Sequence, residues 1–267
     1  MTKRKELHIT DLIGRIPYRL ALAGGWIDQP FVSKHNPSPP GSMVVVSVEP
    51  EFRFMDRAGI CGSTRSIALK LWNGKIPADR NRAELVRELY ETENKGKADP
   101  SGSQDMIGLI YPGVNRLDYD YNYEGGVFPC HIETNNDPKI AQWLSRVIHI
   151  VTVMPRPEGY HPLGVKNLDP KWIQRLGQSG KDCFDAIVKM DAKALGESFN
   201  ENMRCWDTIL PQNFNNTLLT HDLLDLLDYY QRSYTGAMYS GCGGGYLYVV
   251  SEEPVPGAFH ATVRVAK

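Results

Sequence analysis

Two carboxylates and one arginine are the residues best placed to do chemistry. Arg19 opens an apolar stretch, residues 20–23, that runs into Gly24-Gly25; Asp28 stands just beyond that turn. An arginine inside an apolar strand is costly to bury without a partner. Asp105, in Gly102-Ser103-Gln104-Asp105, would serve as that partner. The segment predicts a helix start, where the dipole stabilises an ionised carboxylate. Beside a transferred phosphoryl group, such a carboxylate orients a substrate hydroxyl and takes its proton late in the transfer. Asp28 can accept hydrogen bonds from two hydroxyls of a sugar. The bland alternatives are a charged helix end for Asp105, a structural ion pair for Arg19 and a turn cap for Asp28.

Two glycine-rich segments suit an anion. In Gly59-Ile60-Cys61-Gly62-Ser63-Thr64-Arg65, two glycines and two hydroxyls precede an expected helix. Glycines let the backbone approach a phosphate, and a helix N-terminus presents free N–H groups. Ser63 can hold Mg²⁺ or a phosphate oxygen, and Arg65 can add a charged fork. The alternative is an ordinary capped helix. The stretch Gly241-Cys242-Gly243-Gly244-Gly245 has more glycines than a hairpin turn needs. It points to close backbone approach to a ligand or to another loop.

Elements must position these groups. Strands are expected at 7–13, 19–23, 43–48 and 147–153, with a hairpin over 119–132 turning at Gly125-Gly126. Helices are expected at about 62–72, 82–92 and 103–110, the last capped by Ser103 or Ser101. Three more are expected at about 171–190, 192–206 and 218–233, and closing strands at 236–239, 246–250 and 261–265. Leu195, Phe199, Met203 and Trp206 recur at helical spacing and read as a core stripe.

The 267 residues carry 30 Lys+Arg against 31 Asp+Glu, so bulk charge does not favour nucleic acid. Five cysteines at wide spacing show no CxxC pair and suit a reducing compartment, and the seven histidines show no metal spacing. The apolar runs at 43–48 and 147–154 are too short to span a bilayer, so a soluble cytoplasmic protein is expected.

Taken in order, these segments resemble the GHMP kinases. Within that superfamily they are most similar to the branch containing heptose-7-phosphate kinases and the kinase part of L-fucokinases. Residues 17–28 resemble its Pro-x-Arg-(apolar)-Gly-Gly-x-x-Asp start. Residues 102–105 match its Gly-x-Gln-Asp motif, Pro112-Gly113-Val114-Asn115 matches part of a Gly-Gly-x-Asn turn, and residues 240–245 match Ser-Gly-Ala-Gly-Gly-Gly with Cys242 for alanine. The resemblance implies an α+β fold of two lobes with the active site between them. The N-terminal mixed α/β lobe would span 1–140, and the C-terminal ferredoxin-like lobe 141–267. It implies phosphoryl transfer from ATP, with Mg²⁺, to a hydroxyl of a sugar or sugar phosphate, the anomeric hydroxyl being the expected acceptor.

Carried over by position, Asp105 and Arg19 would be catalytic. Asp28, Gly25, Trp26 and Asn115 would bind the acceptor, Trp26 by stacking on a sugar face. Gly59, Gly62, Ser63, Thr64, Arg65, Gly241, Gly243 and Gly244 would bind ATP, with Ser63 at the metal. The phosphate loop departs from the family pattern: Cys61 replaces a glycine, Gly62 a serine and Arg65 a small residue. The gap before this loop is also short. Other readings of the same residues are a non-catalytic sugar or nucleotide sensor, and a kinase with a non-sugar acceptor.

Overall fold

The computed structural model describes residues 7–97, 100–161, 164–219 and 221–266. Two antiparallel sheets organise it. The first joins β1 (Tyr18–Ala21), β2 (Gly41–Val48), β3 (Val114–Tyr119) and β4 (His131–Asn135) in the order β1-β2-β3-β4. The second joins β5 (Ile148–Met154), β6 (Gly236–Gly241) and β7 (Gly244–Val250) in the order β5-β7-β6.

β2 forms because Met43-Val44-Val45-Val46 is a β-rich run, and all eight of its residues are buried. α5 (Gln104–Ile110) and α7 (Pro170–Lys189) both pack on it. α7 lies so close that a Cβ on Gly177 would stand 2.7 Å from the Gly41 Cα, and one on Gly180 would collide with the Ser42 carbonyl. These glycines seat the second half of the chain directly on the first sheet. α7 also pairs with α8 (Ala192–Ile209), whose Gly196 backs onto Gly236 of β6, and α9 (Leu223–Ser233) covers the same strand. The predicted stripe of Leu195, Phe199, Met203 and Trp206 is buried as expected.

α3 (Gly62–Leu71), α4 (Arg82–Asn94) and α5 arise close to their predicted bounds. Five expectations are corrected. Residues 7–13 are not a strand but contain the short helix α1 (Ile9–Ile13), because a reciprocal cap outweighs the alternation. The His8 N–H donates to Asp11 at 3.0 Å, and the His8 ring accepts from the Thr10 N–H. α9 starts at Leu223 rather than 218, where the Asp222 carboxylate accepts from the N–H groups of Leu224 and Asp225. Strands β3 and β4 do pair, but residues 120–130 form a loop with a single 3₁₀ turn at Glu124–Gly126 instead of a tight hairpin. Ser103 stands before α5 but does not cap it, since its hydroxyl donates to the Val127 carbonyl at 2.7 Å.

α6 (Pro138–Val147) went unforeseen, although Asp137 followed by Pro138 is a helix-start signal. The expected closing strand at 261–265 is a lone bridge, Val263 to Val48. That segment still returns to the first sheet: the Arg264 N–H donates to the Ser47 carbonyl at 2.8 Å, and the Gly113 N–H to the Arg264 carbonyl at 2.6 Å. Phe259 makes a further single bridge to Ile150, where a ferredoxin-like sheet would carry a fourth strand.

Candidate active site

Arg19 enters from β1 and Asp105 from the first turn of α5, and their side chains form an ion pair. The approach depends on Gly108, where a Cβ would run into the Arg19 Cγ. The guanidinium also donates to the Gly59 carbonyl at 3.3 Å, and Arg19 is only 5% exposed. Burial lowers its pKa, but the charge and hydrogen bond of Asp105, joined by Cys61 and Tyr248, together raise it, so Arg19 stays charged. Thr64, fully buried on α3, donates its hydroxyl to the second Asp105 oxygen at 3.2 Å. Both carboxylate oxygens are therefore held by side chains from different elements.

Asp28 lies in the same cleft and is 1% exposed. Gln104 donates to its Oδ1 at 3.4 Å, while its Oδ2 has no partner among the described residues. Burial, then the nearby Asp105 charge, push its carboxyl up to about 7. Gly102 must be glycine here, since a Cβ would overlap the Asp28 carboxylate. The Gln104 Oε1 and the Arg19 Nε are buried and equally unpartnered. The cleft has a volume of about 950 Å³, within the range of sites that hold small molecules.

On another wall, Cys61 adopts a left-handed conformation (φ 46°) and turns the chain into α3, whose N-terminus has no side-chain cap. Gly62 and the exposed Ser63 face the cleft there. Uncapped first-turn amides make an anion site. This loop rests on the third glycine segment. A Cβ on Gly59 would stand 2.6 Å from the Ser240 carbonyl oxygen, and the Ser240 hydroxyl donates to the Ala58 carbonyl at 2.7 Å. The surplus glycines of 241–245 thus serve loop-on-loop contact, with Gly245 (φ 92°) pressed on the Ala58 carbonyl.

The carried-over residues divide accordingly. Arg19, Gly25, Trp26, Asp28, Gly59, Gly62, Ser63, Asp105 and Gly241 line the cleft. Trp26 holds a positive φ of 81° and donates its indole N–H to the Cys242 sulfur at 3.2 Å. The Gly25 carbonyl accepts from the Trp206 indole at 2.9 Å. Five residues are not brought to the cleft surface. Arg65 turns away, donating to the carbonyls of Ile16 and Ile13 at 2.9 and 2.8 Å and lying 4.1 Å over the Tyr18 ring. Thr64 is spent on Asp105. Asn115 is buried in β3, where its amide faces the carbonyls of the 111–113 turn and its oxygen accepts from Thr134 at 2.6 Å. Gly243 sits under the Tyr160 ring and Gly244 against Met154. Burial pushes the thiols of Cys61 and Cys242 up to about 12, which leaves them unreactive.

Sequence reading missed the cations Arg53, Arg57, Arg156 and Lys166, and the indole of Trp206, all of which line the cleft. Two basic residues just upstream of Gly59 were the available signal for Arg53 and Arg57. Nothing local marks Arg156 or Lys166, which the fold brings in from beyond β5.

No protein-family model and no curated protein sequence matches the chain. Solved structures do. A D-glycero-D-manno-heptose 1-phosphate kinase from Bacteriodes thetaiotaomicron is 13% identical with a TM-score of 0.54, over 88% of this chain and 87% of that one. A Methanococcus jannaschii mevalonate kinase is 11% identical with a TM-score of 0.57, over 89% of each chain. A Lactococcus lactis galactokinase complexed with galactose is 14% identical with a TM-score of 0.55, over 94% of this chain and 93% of that one. The chain therefore has the two-lobed α+β fold of the GHMP kinases. At such identities the likeness is one of fold, and the chemistry rests on the cleft's own residues.

Proposed function

We propose that the chain is an ATP-dependent kinase that transfers the γ-phosphoryl group to a hydroxyl of a sugar or sugar phosphate, the anomeric hydroxyl being the preferred acceptor. The observation that carries this reading is the Arg19–Asp105 ion pair, braced from behind by buried Thr64, in one cleft with the uncapped N-terminus of α3. Asp105 orients the acceptor hydroxyl and accepts its proton as the new P–O bond forms, and ADP leaves with the electrons of the broken bond. Arg19 holds the carboxylate in place and offers positive charge to the transferring group. In a loose transition state this positioning matters more than base strength. Asp28 and Gln104 offer unpartnered oxygens to the other acceptor hydroxyls. Gly62 and Ser63 offer amides to the triphosphate, with Arg53 and Arg57 nearby.

Mg²⁺ would enter carried by the nucleotide and would neutralise phosphate charge. The described residues hold no group of three His, Cys, Asp or Glu side chains able to bind a metal, and Ser63 is the hydroxyl at hand. The test is ADP release from Mg-ATP across a panel of sugars, sugar phosphates and hydroxy acids, beside Asp105→Ala. Release with one acceptor, reduced at least about 100-fold in the variant, is expected. Undiminished release in Asp105→Ala would sink the mechanism. Silence with nucleotide still bound would point to an acceptor outside the panel, and silence with no nucleotide bound would favour the sensor reading.

A further inference from the structure

The Gly24–Gly25 turn is held from outside its own sheet. Pairing of the first sheet continues past β1 to Ala23, whose carbonyl accepts from the Val44 N–H at 3.0 Å. The chain then leaves the sheet through Gly24 (φ 90°) and Trp26 (φ 81°) toward Asp28 and α2 (Pro30–Ser33). A bulky residue at positive φ persists only where the surrounding structure enforces it. Two of the contacts that hold this turn come from α8. The Asn202 Oδ1 accepts from the Gly24 N–H at 2.8 Å, and one helical turn later the Trp206 indole N–H donates to the Gly25 carbonyl at 2.9 Å. The fit is close, since a Cβ on Gly25 would stand 2.8 Å from the Trp206 ring.

α8 is itself fixed from its other side by the second sheet. The Asn200 side chain accepts from the Ala237 N–H of β6 at 3.0 Å, and Gly196 lies against Gly236. The Trp206 ring stacks on Phe214 at 6.5 Å, and Phe214 stacks on Tyr239 of β6 at 5.6 Å. Asn202 is an odd residue for its place. It is fully buried beside Phe199, Met203 and Trp206, and its Nδ2 has no partner among the described residues. A leucine would pack there without the cost of an unmade hydrogen bond. What the asparagine supplies instead is the contact to Gly24. Resting on the kinase reading of this cleft, we infer that Asn202 and Trp206 are positioning residues for the acceptor. They hold the turn that presents Trp26 and Asp28 to it, and they tie that turn to the second sheet. The phosphate wall is held separately, by Arg19 on the Gly59 carbonyl and Ser240 on the Ala58 carbonyl. Loss of either α8 contact therefore weakens the acceptor side and spares the donor side.

The experiment has two arms, run on the full chain with Asn202→Leu, Trp206→Phe and Asn202→Asp. The first is amide hydrogen exchange read by mass spectrometry, with no ligand present. Asn202→Leu and Trp206→Phe should each speed exchange over residues 22–29 by about tenfold or more, while β2 and β7 exchange as in the wild type. Asn202→Asp keeps an accepting oxygen toward Gly24 and should stay near the wild type. Should Asn202→Leu fail to fold, Trp206→Phe decides alone, since it keeps a ring on Phe214 and removes the N–H. The second arm is ADP release with Mg-ATP and each member of the acceptor panel. The KM for the acceptor should rise at least about tenfold in the first two variants, with the KM for Mg-ATP and kcat changing far less. Wild-type exchange over 22–29, or a speeding shared with β2 and β7, would overturn the inference, as would an equal rise in both KM values. The arms also separate it from the reading it rests on. Local loosening in a chain that binds no nucleotide keeps the hold on the turn and removes the kinase. Transfer with an unchanged acceptor KM in both variants keeps the kinase and removes the inference.

Discussion

At the scale of single residues, the cleft stores electrostatic cost in Asp28. Its carboxyl is raised from 3.8 to about 7, so the folded chain holds a proton that the unfolded chain gives up. Between those values the folded state binds more protons, and stability falls as pH rises; above about 7 the loss is complete. Asp28→Asn removes the titration. The variant should match the wild type near pH 4 and exceed it at pH 8 by a few kcal/mol, on the order of the shift converted to energy. Parallel urea-unfolding curves for the two proteins across that range would contradict the assignment. Arg19 and Asp105 were legible in sequence because a strand arginine needs a buried acid, and one acid sat at a helix start. Arg65 and Asn115 were not. A helix-start arginine can face either side of its helix, and only the packed structure supplies the Ile13 and Ile16 carbonyls that draw Arg65 away.

At the scale of elements, α5 is held at both ends. Arg19 engages Asp105 at the first turn, while Arg264 donates to the carbonyls of Leu109 and Ile110 at 3.0 and 3.1 Å and to the Ser47 hydroxyl at 2.9 Å. Arg264→Ala leaves those helix-end carbonyls without a donor. It should cost about 1–3 kcal/mol, read as a lower Tm, and should reduce kcat more than the KM for either substrate because it loosens the element that carries Asp105. An unchanged Tm would show that water replaces the guanidinium. Helix positions were readable from the sequence pattern, as for α4 and α7, which fall close to the expected 82–92 and 171–190. Among the misread elements, α1 and the 261–265 segment are those where a local cap or a distant partner overrode an alternating pattern.

For the whole molecule, the Gly59 and Gly241 loops touch backbone to backbone, and α7 lies on β2, so the two halves share their core. Unfolding should be a single transition. A magnesium-bound non-hydrolysable ATP analogue at about one hundred times its Kd should stabilise that transition by about 2.7 kcal/mol. Two transitions of which only one moves would mean that the halves unfold separately. The two-lobed fold was legible from three motifs in a fixed order, because each motif marks a crossing of the chain past the same cleft. The cationic rim was not, since Arg156 and Lys166 reach it through tertiary packing alone.

The cap on α5 also sets an order of assembly. Leu109 and the arginine that caps its carbonyl are 155 positions apart, so this contact closes a very long loop. Contacts of such sequence separation form late in folding. The helix bearing the carboxylate can be drawn up early from its own neighbours, but it is locked only when the far end of the chain has crossed back over the first sheet. Catalytic competence should therefore lag behind the appearance of secondary structure in a refolding experiment, arriving with the last long-range pairing instead of with the helices.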